Sequence, residues 1–466
     1  MEKKTDEKFS GKISQNRNGR SGLGYEYRRS TIRIPERREL AILGMVVLAL
    51  CVFTFLAISY QIIFIGYTLL SIFIFCSYLI LWLEGAKVEP PSPTPKTWPH
   101  VTVIMPSYNA RHTIFDAIAA CKRMKYPGKL DILVVDDGST DGSFELLEKT
   151  PGITLLHNPK NQGKAAALNF ATKHAKGEIL ACIDSDTYPA QDALEKSVRH
   201  FYEDEKVASV VVFVCVNKPK SLLERIQEIE YWISFGFFFR TIASIDGLYV
   251  TPGPTAMYRK SILEKIGGFD EQNLTEDMEI ALRMQKLGYK IRACHETYVL
   301  TDVPSTLPKL FRQRLRWYRG GVMNVLKYID LFFNPKYGEF GLFILPTTLG
   351  SGFFAALFMA WSIMSWSRNL FDWMAPFIYN FSAGTTATLV GLGNGLVTFQ
   401  SAWILGLFSL AIWAYFLVKS FEISKSQPRL HHVVPLICLL WIYPLFIGFV
   451  FMVSYIYELF GVKYTW

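Results

Sequence analysis

The sequence predicts an α/β domain built on a mostly parallel sheet and set between membrane-spanning helices, two before it and three after it. Three observations carry that expectation. Long uncharged apolar runs flank the centre of the chain, short β-branched runs alternate with helical stretches inside it, and Lys and Arg gather at the feet of the apolar runs.

The composition already divides the chain. Half of the 466 residues are hydrophobic and mean hydropathy is +0.20, yet 19% are charged, so a membrane part and a soluble part are both expected. The formal net charge of +9 follows membrane topology and does not indicate nucleic acid, which is not expected as a partner. The seven cysteines form no C-x-x-C pair and no Cys/His cluster, so neither a disulfide framework nor a zinc site is indicated.

Residues 1–39 form a basic tail with eleven Lys/Arg against six Asp/Glu, expected to be cytoplasmic. Residues 40–83 hold two runs, Leu40–Tyr60 and Gln61–Leu83. The first has 21 uncharged residues and reaches about 31 Å as a helix, enough for the roughly 30 Å hydrocarbon core. It is too long for a signal core and starts near residue 40, so no cleavable signal is expected. A linker at 84–97 follows, with five prolines between Val88 and Pro99 that make it a stiff spacer. After the central domain, 98–335, the membrane region 336–466 offers Phe340–Trp366, Ala402–Val418 and Val433–Leu459 as spans. Phe371–Gln400, uncharged apart from Asp372, reads as a surface-lying or re-entrant segment. With only Phe460–Trp466 beyond the last run, control by a fused sensor is not expected. Leu222–Ile245 is apolar but carries Glu224, Arg225, Glu228, Glu230 and Arg240, so an interfacial helix is expected there and not a span.

In the central domain Val101–Met105, Ile132–Val135, Ile153–Leu156, Ile179–Ile183 and Ala208–Val214 read as strands with helices between them. Parallel sheets bind ligands at the carboxyl ends of their strands, and the acidic motifs lie there. Asp136-Asp137-Gly138-Ser139 closes the second strand and Asp184-Ser185-Asp186 the fourth. Two carboxylates facing one pocket repel by about 4 kcal/mol at a separation of ~4 Å and an effective dielectric of ~20, which a divalent cation relieves. Hard oxygen ligands suit Mg or Mn, with Asp186 and Asp184 as the metal ligands. Alone, such a pair is more often two turn aspartates.

Context shifts the balance. Pro106-Ser107-Tyr108-Asn109, Asp136 to Asp141, Asn161-Gln162-Gly163-Lys164-Ala165, Asp184-Ser185-Asp186, Thr275-Glu276-Asp277 and Gln313-Arg314-Leu315-Arg316-Trp317 occur in that order. The series resembles the family-2 membrane glycosyltransferases of GT-A fold. Its last motif is similar to the Q-x-x-R-W signature of processive members such as the cellulose, hyaluronan, chitin and poly-N-acetylglucosamine synthases.

That resemblance implies a UDP-sugar donor, held by Pro106, Tyr108, Asn109, Asp136, Asp137, Lys164 and Asp184, with Asp137 or Asp136 reading the uracil and ribose. Asp277 is expected as the general base of an inverting transfer, although a helix cap would place a carboxylate there too. Arg316 would fork to the leaving diphosphate and Trp317 would face an acceptor sugar, with Gln313 and Glu276 completing the catalytic set. The donor sugar is expected to be N-acetylglucosamine or glucose and the acceptor a growing polysaccharide extruded through the protein's own channel. The alternatives are transfer of one sugar to a membrane lipid, or a non-catalytic scaffold. The protein is expected in the cell membrane with the domain in the cytoplasm.

Overall fold

The computed structural model describes residues 60–85, 92–350, scattered positions from 352 to 374, 401–423 and 429–462. The basic tail, the expected first span up to residue 59, and residues 375–400 lie outside the described residues.

Successive side chains of a strand point to opposite faces, and the first two strands show it directly. In β1 (Val101–Ser107) and β2 (Leu130–Asp137), Val103, Met105, Ile132 and Val134 enter one core while Ile104, Leu133 and Val135 enter another. With both faces covered, such strands read as unbroken apolar runs, which is why they were legible. The remaining strands are β3 (Thr154–Asn158), β4 (Ile179–Ile183), β5 (Thr187–Pro189), β6 (Val207–Val216), β7 (Thr255–Arg259) and β8 (Lys290–Thr301).

They form one eight-stranded sheet of order β3-β2-β1-β4-β7-β6-β8-β5. Its first half, from β3 to β4, is parallel, as expected. Its second half adds reversed strands to the expected mostly parallel sheet: β7 runs antiparallel to both β4 and β6, and β5 antiparallel to β8, while β6 and β8 pair parallel, so the sheet is mixed with six of its eight strands in one direction. Neither β7 nor β8 carries an unbroken apolar run. β7 is five residues long behind Pro252-Gly253-Pro254, and β8 interleaves Lys290, Arg292, His295 and Glu296 with its apolar positions.

The helices that matter for the site are α1 (Tyr60–Gly85), α2 (Lys164–His174), α3 (Leu222–Tyr231), α4 (Glu276–Lys286), α5 (Leu307–Lys327), α6 (Ser401–Ile423), α7 (Val433–Trp441) and α8 (Tyr443–Leu459). α3 starts on a capping box: Ser221 Oγ accepts from Glu224 N–H at 3.2 Å, while the Glu224 carboxylate accepts from Ser221 N–H at 2.7 Å. It runs on through a π-helical stretch, Trp232–Phe239, into Arg240–Ala243, close to the expected interfacial helix.

Phe237 in that stretch packs on Phe416 of α6 at a ring-centroid distance of 4.2 Å and on Trp82 of α1 at 6.1 Å. The core on this side of the sheet therefore continues into the apolar helices. Among the described residues one helix, within Ile65–Glu84, is long and apolar enough to cross a membrane. The expected span Val433–Leu459 is broken into α7 and α8, bent by 41°, and only the pair together reaches crossing length. Pro444, in the first turn of α8, has no N–H for the preceding turn and its ring crowds it, which accounts for the break. Phe340–Gly350 and Leu410–Phe421 are shorter apolar helices.

Candidate active site

The loops after β1 and β2 are tied to each other. Asn109 N–H donates to Ser139 Oγ at 3.0 Å, and Thr140 N–H donates to Asn109 Oδ1 at 2.8 Å. Pro106 and Ser107 end β1, Asn109 takes a positive φ of 50°, and Tyr108 is left half exposed beside them. Gly138 has φ +76° and a Cβ there would meet Asn161 N at 2.7 Å, so the chain can turn back between the two loops only without a side chain.

Asp136 and Asp137 are both buried but differ in what they hold. Asp137 accepts from Asn158 Nδ2 at 2.9 Å and from the N–H groups of Gln162 and Gly163 at 3.1 and 2.8 Å, so its carboxylate shapes the loop that starts α2. Asp136 Oδ2 accepts from Ser139 N–H and faces His157 Nδ1 at 3.0 Å, while its Oδ1 is buried without a hydrogen-bond partner. Of the two carboxylates that the sequence left open, Asp136 retains the free acceptor.

Lys164, the first residue of α2, lies one step beyond Gly163 and reaches the next group. Its ammonium is 2.5 Å from Asp184 Oδ1 and 3.5 Å from Glu276 Oε1. Burial opposes its charge, but Asp184, Glu276 and Asp277 outweigh that and hold it above its ordinary value. A Cβ on Gly253 would meet Lys164 Nζ at 2.6 Å and Asp184 Oδ2 at 2.9 Å, so this glycine is what lets the Pro252–Pro254 turn lie against the pair.

Asp186 has no ion-pair partner among the described residues. Burial, then repulsion from Asp184 and Asp302, push its carboxyl up to about 7 against the pull of Lys164. Asp302 follows β8, and its N–H donates to the Asp186 carbonyl at 3.2 Å. Asp184 and Asp186 offer oxygen donors only, a donor type that suits Mg or Mn.

Glu276 and Asp277 open α4, in its first turn, where the helix dipole favours negative charge. The Asp277 carbonyl is held by Thr251 through N–H at 3.1 Å and Oγ1 at 2.8 Å, while its side chain accepts from Met278 N–H at 2.8 Å. Burial and then Glu276 raise this carboxyl to about 6, although Lys164 and Arg316 pull it down. A plain cap would be stabilised in its ionised form; this one is poised to take up a proton near neutrality.

Gln313, Arg316 and Trp317 lie on α5 and face the same space. Arg316 reaches the Leu274 carbonyl at 3.5 Å, and the Trp317 ring is covered by the Arg314 guanidinium at 4.0 Å. Together with Lys164, Asp184, Asp186, Glu276 and Asp277 they line one cavity of about 1300 Å³. The cavity continues past Phe235 and Val325 to Trp361, Met452 and Tyr455 in the apolar helices. Pro106, Tyr108, Asn109, Asp136 and Asp137 do not line it; they form the adjoining loop cluster, joined to it through Gly163 and Lys164.

Asp302, Gly253, Glu230 and Arg314 were not singled out for the site from sequence. Only Gly253, between two prolines, left a local signal; the others reach the cavity through tertiary pairing.

Residues 102–267 match the glycosyl transferase family 2 domain. A probable glycosyltransferase of Bacillus subtilis, YdaM, is 34% identical over 256 residues, covering 52% of this chain and 60% of that protein. The poly-β-1,6-N-acetyl-D-glucosamine synthase of Staphylococcus aureus is 31% identical over 248 residues, covering 53% and 60%. Thus the chain spans 60% of the length of these curated relatives. Among solved structures, a mannosyltransferase from Pyrobaculum calidifontis, in complex with GDP-mannose and Mn2+, covers 82% of this chain and 99% of its own, with TM-score 0.53 and 21% identity. That likeness is one of fold. The match over residues 102–267 and the likeness to these relatives bear out the resemblance drawn from the six motifs.

Proposed function

We propose that the protein is an inverting, membrane-embedded hexosyltransferase that adds sugar from a UDP-sugar to a growing polysaccharide at the cytoplasmic face. The observation that carries this reading is the convergence of Asp277, the Asp184–Asp186 pair, Lys164 and the Gln313–Trp317 motif on one cavity that runs on into the apolar helices.

The roles follow from the chemistry of each group. Asp136, with a free buried oxygen, accepts the uracil imide N–H, and Asp137 keeps the loop around it in shape. Asp184 and Asp186 would hold Mg or Mn, which would supply charge to neutralise a diphosphate. Lys164 exchanges part of its pairing with Asp184 and Glu276 for a phosphate oxygen, and Glu276 keeps the ammonium placed. Asp277 takes the proton of the acceptor hydroxyl as its oxygen bonds to the anomeric carbon and the bond from that carbon to the diphosphate breaks. Arg316 receives charge on the leaving diphosphate, Trp317 offers a flat face to the acceptor sugar, and Gln313 hydrogen-bonds at the same end. The Staphylococcus relative's name favours N-acetylglucosamine as the sugar.

The apolar lining of the cavity's far end favours a second reading, transfer of one sugar to a membrane lipid. Detergent-solubilised protein incubated with Mg or Mn and a panel of radiolabelled nucleotide sugars separates the two. A ladder of long product from one donor is the expected result. A single labelled lipid supports the second reading, and no metal-dependent use of any nucleotide sugar refutes both.

A further inference from the structure

On the β8 edge of the domain, away from the cavity, three potential metal ligands converge. His200 Nε2, Cys294 Sγ and a Glu296 carboxylate oxygen all lie within 4.8 Å of one another. We propose that this group is a zinc site, with water as the fourth ligand.

The spacing suits the ion. Bonds of about 2.0–2.3 Å in a tetrahedron leave neighbouring donor atoms about 3.3–3.8 Å apart. Here Nε2 is 3.5 Å and Sγ 3.8 Å from Glu296 Oε2. The imidazole is oriented as a zinc ligand is. Its Nδ1 lies 2.7 Å from Glu203 Oε1 and 3.1 Å from Ser92 Oγ, so a proton on Nδ1 leaves the Nε2 lone pair free. Glu203 is in turn held by Arg292 Nε at 2.9 Å. Nε2 is buried, makes no hydrogen bond, and belongs to a residue only 8% exposed.

The backbone also departs from regularity to make the group. β8 pairs Cys294 with Val212 but Tyr298 with Phe213, so residues 295–297 bulge out of the ladder. Thr297 Oγ1 donating to Asp192 and Lys196 Nζ donating to the Glu296 carbonyl hold that bulge. The Glu296 side chain is 48% exposed, which gives an ion a way in, while Cys294 is fully buried. Thiolate, imidazole and carboxylate are the donor set of zinc and not of Mg or Mn, so this site and the acidic pair do not compete for one ion. Binding would expel to solvent the Cys294 thiol proton and the Nε2 proton that Cys294, Glu203 and Glu296 favour on His200, and it would fasten the bulge to the Ser92 end of the Pro-rich linker.

The test uses the full chain in detergent, stripped with chelator and titrated with Co2+ as an optical probe and then with Zn2+. The expected result is one thiolate-to-cobalt charge-transfer band per chain, abolished by stoichiometric Zn2+, absent in Cys294→Ser and His200→Gln, and retained in Asp186→Asn. Glu203→Gln should weaken binding by about 10-fold or more, as loss of a group orienting a ligand does. Should a variant fail to fold, X-ray absorption at the zinc edge on wild type decides: the bound zinc must show a sulfur neighbour at about 2.3 Å. No band in wild type, a band unchanged in Cys294→Ser, or bound zinc with no sulfur neighbour overturns the proposal.

Discussion

At the scale of single residues, a carboxyl that is both buried and placed beside another acid binds its proton more tightly than one in water. Asp277 is in that position, with its carboxyl raised to about 6, and its main chain is fixed by two bonds from Thr251. Asn at 277 keeps the shape and the contact with Met278 N–H but cannot take up a proton. Asp277→Asn is therefore expected to fold and to bind donor with near-normal affinity while transfer falls by about 10²- to 10⁴-fold. Near-normal turnover would return Asp277 to the role of a helix cap. The same carboxyl sets a direction with pH. The base acts as carboxylate, so kcat/KM should fall as pH drops through about 6, and the wild-type profile from pH 5 to 8 measures it. A flat profile across that range would exclude Asp277 as the titrating base.

At the scale of elements, α5 is the part that carries the Q-x-x-R-W motif and is also the part most firmly tied to the apolar helices. Arg314, 2% exposed, donates to Glu230 of α3 at 2.6 Å, and Tyr443 Oη of α8 donates to the same carboxylate at 2.9 Å. One turn on, Arg319 donates to Glu458 at 2.5 Å and Tyr318 stacks on Phe451 at 3.7 Å. Removing one partner of a buried pair leaves the other uncompensated, at a cost of about 3–5 kcal/mol. Arg314→Leu should lower the melting temperature of the detergent-solubilised protein markedly, and adding Glu230→Gln should restore part of the loss. A single variant that melts like wild type would mean the joint is made by packing alone. The strands buried on both faces were readable from their apolar runs, and α3 from the charge-bearing apolar run Leu222–Ile245. β7 and β8 were not, because a five-residue strand and a strand with charges through its middle carry no periodic signature that outweighs their turns and polar positions. Arg314, an interior position of a recognised motif, gave no sign that it would be the buried anchor.

At the scale of the whole molecule, five of the six motifs sit where a parallel strand ends or a helix begins, positions that local sequence can mark, while Gln313–Trp317 lies inside α5. What local sequence does not mark is that Asp302, Glu230 and the apolar helices close the same cavity, since these meet only through the mixed half of the sheet and the packing of α5 on α8. That closure carries the last expectation. Asp277 and, among the apolar residues, Val325 of α5, Trp361 and Tyr455 line the same cavity, so an acceptor can lie in it with its reactive end at Asp277 and its remainder among apolar side chains. A bulky residue at 325 takes up that space while Lys164, Asp184 and Asp186 remain as they are. Val325→Trp is therefore expected to abolish transfer while leaving slow, metal-dependent hydrolysis of the nucleotide sugar at its wild-type rate. Released nucleotide and labelled product, measured in one reaction, give both quantities. Equal loss of hydrolysis and transfer would mean that the substitution reached the donor pocket. Undiminished transfer would mean that the acceptor enters by another route.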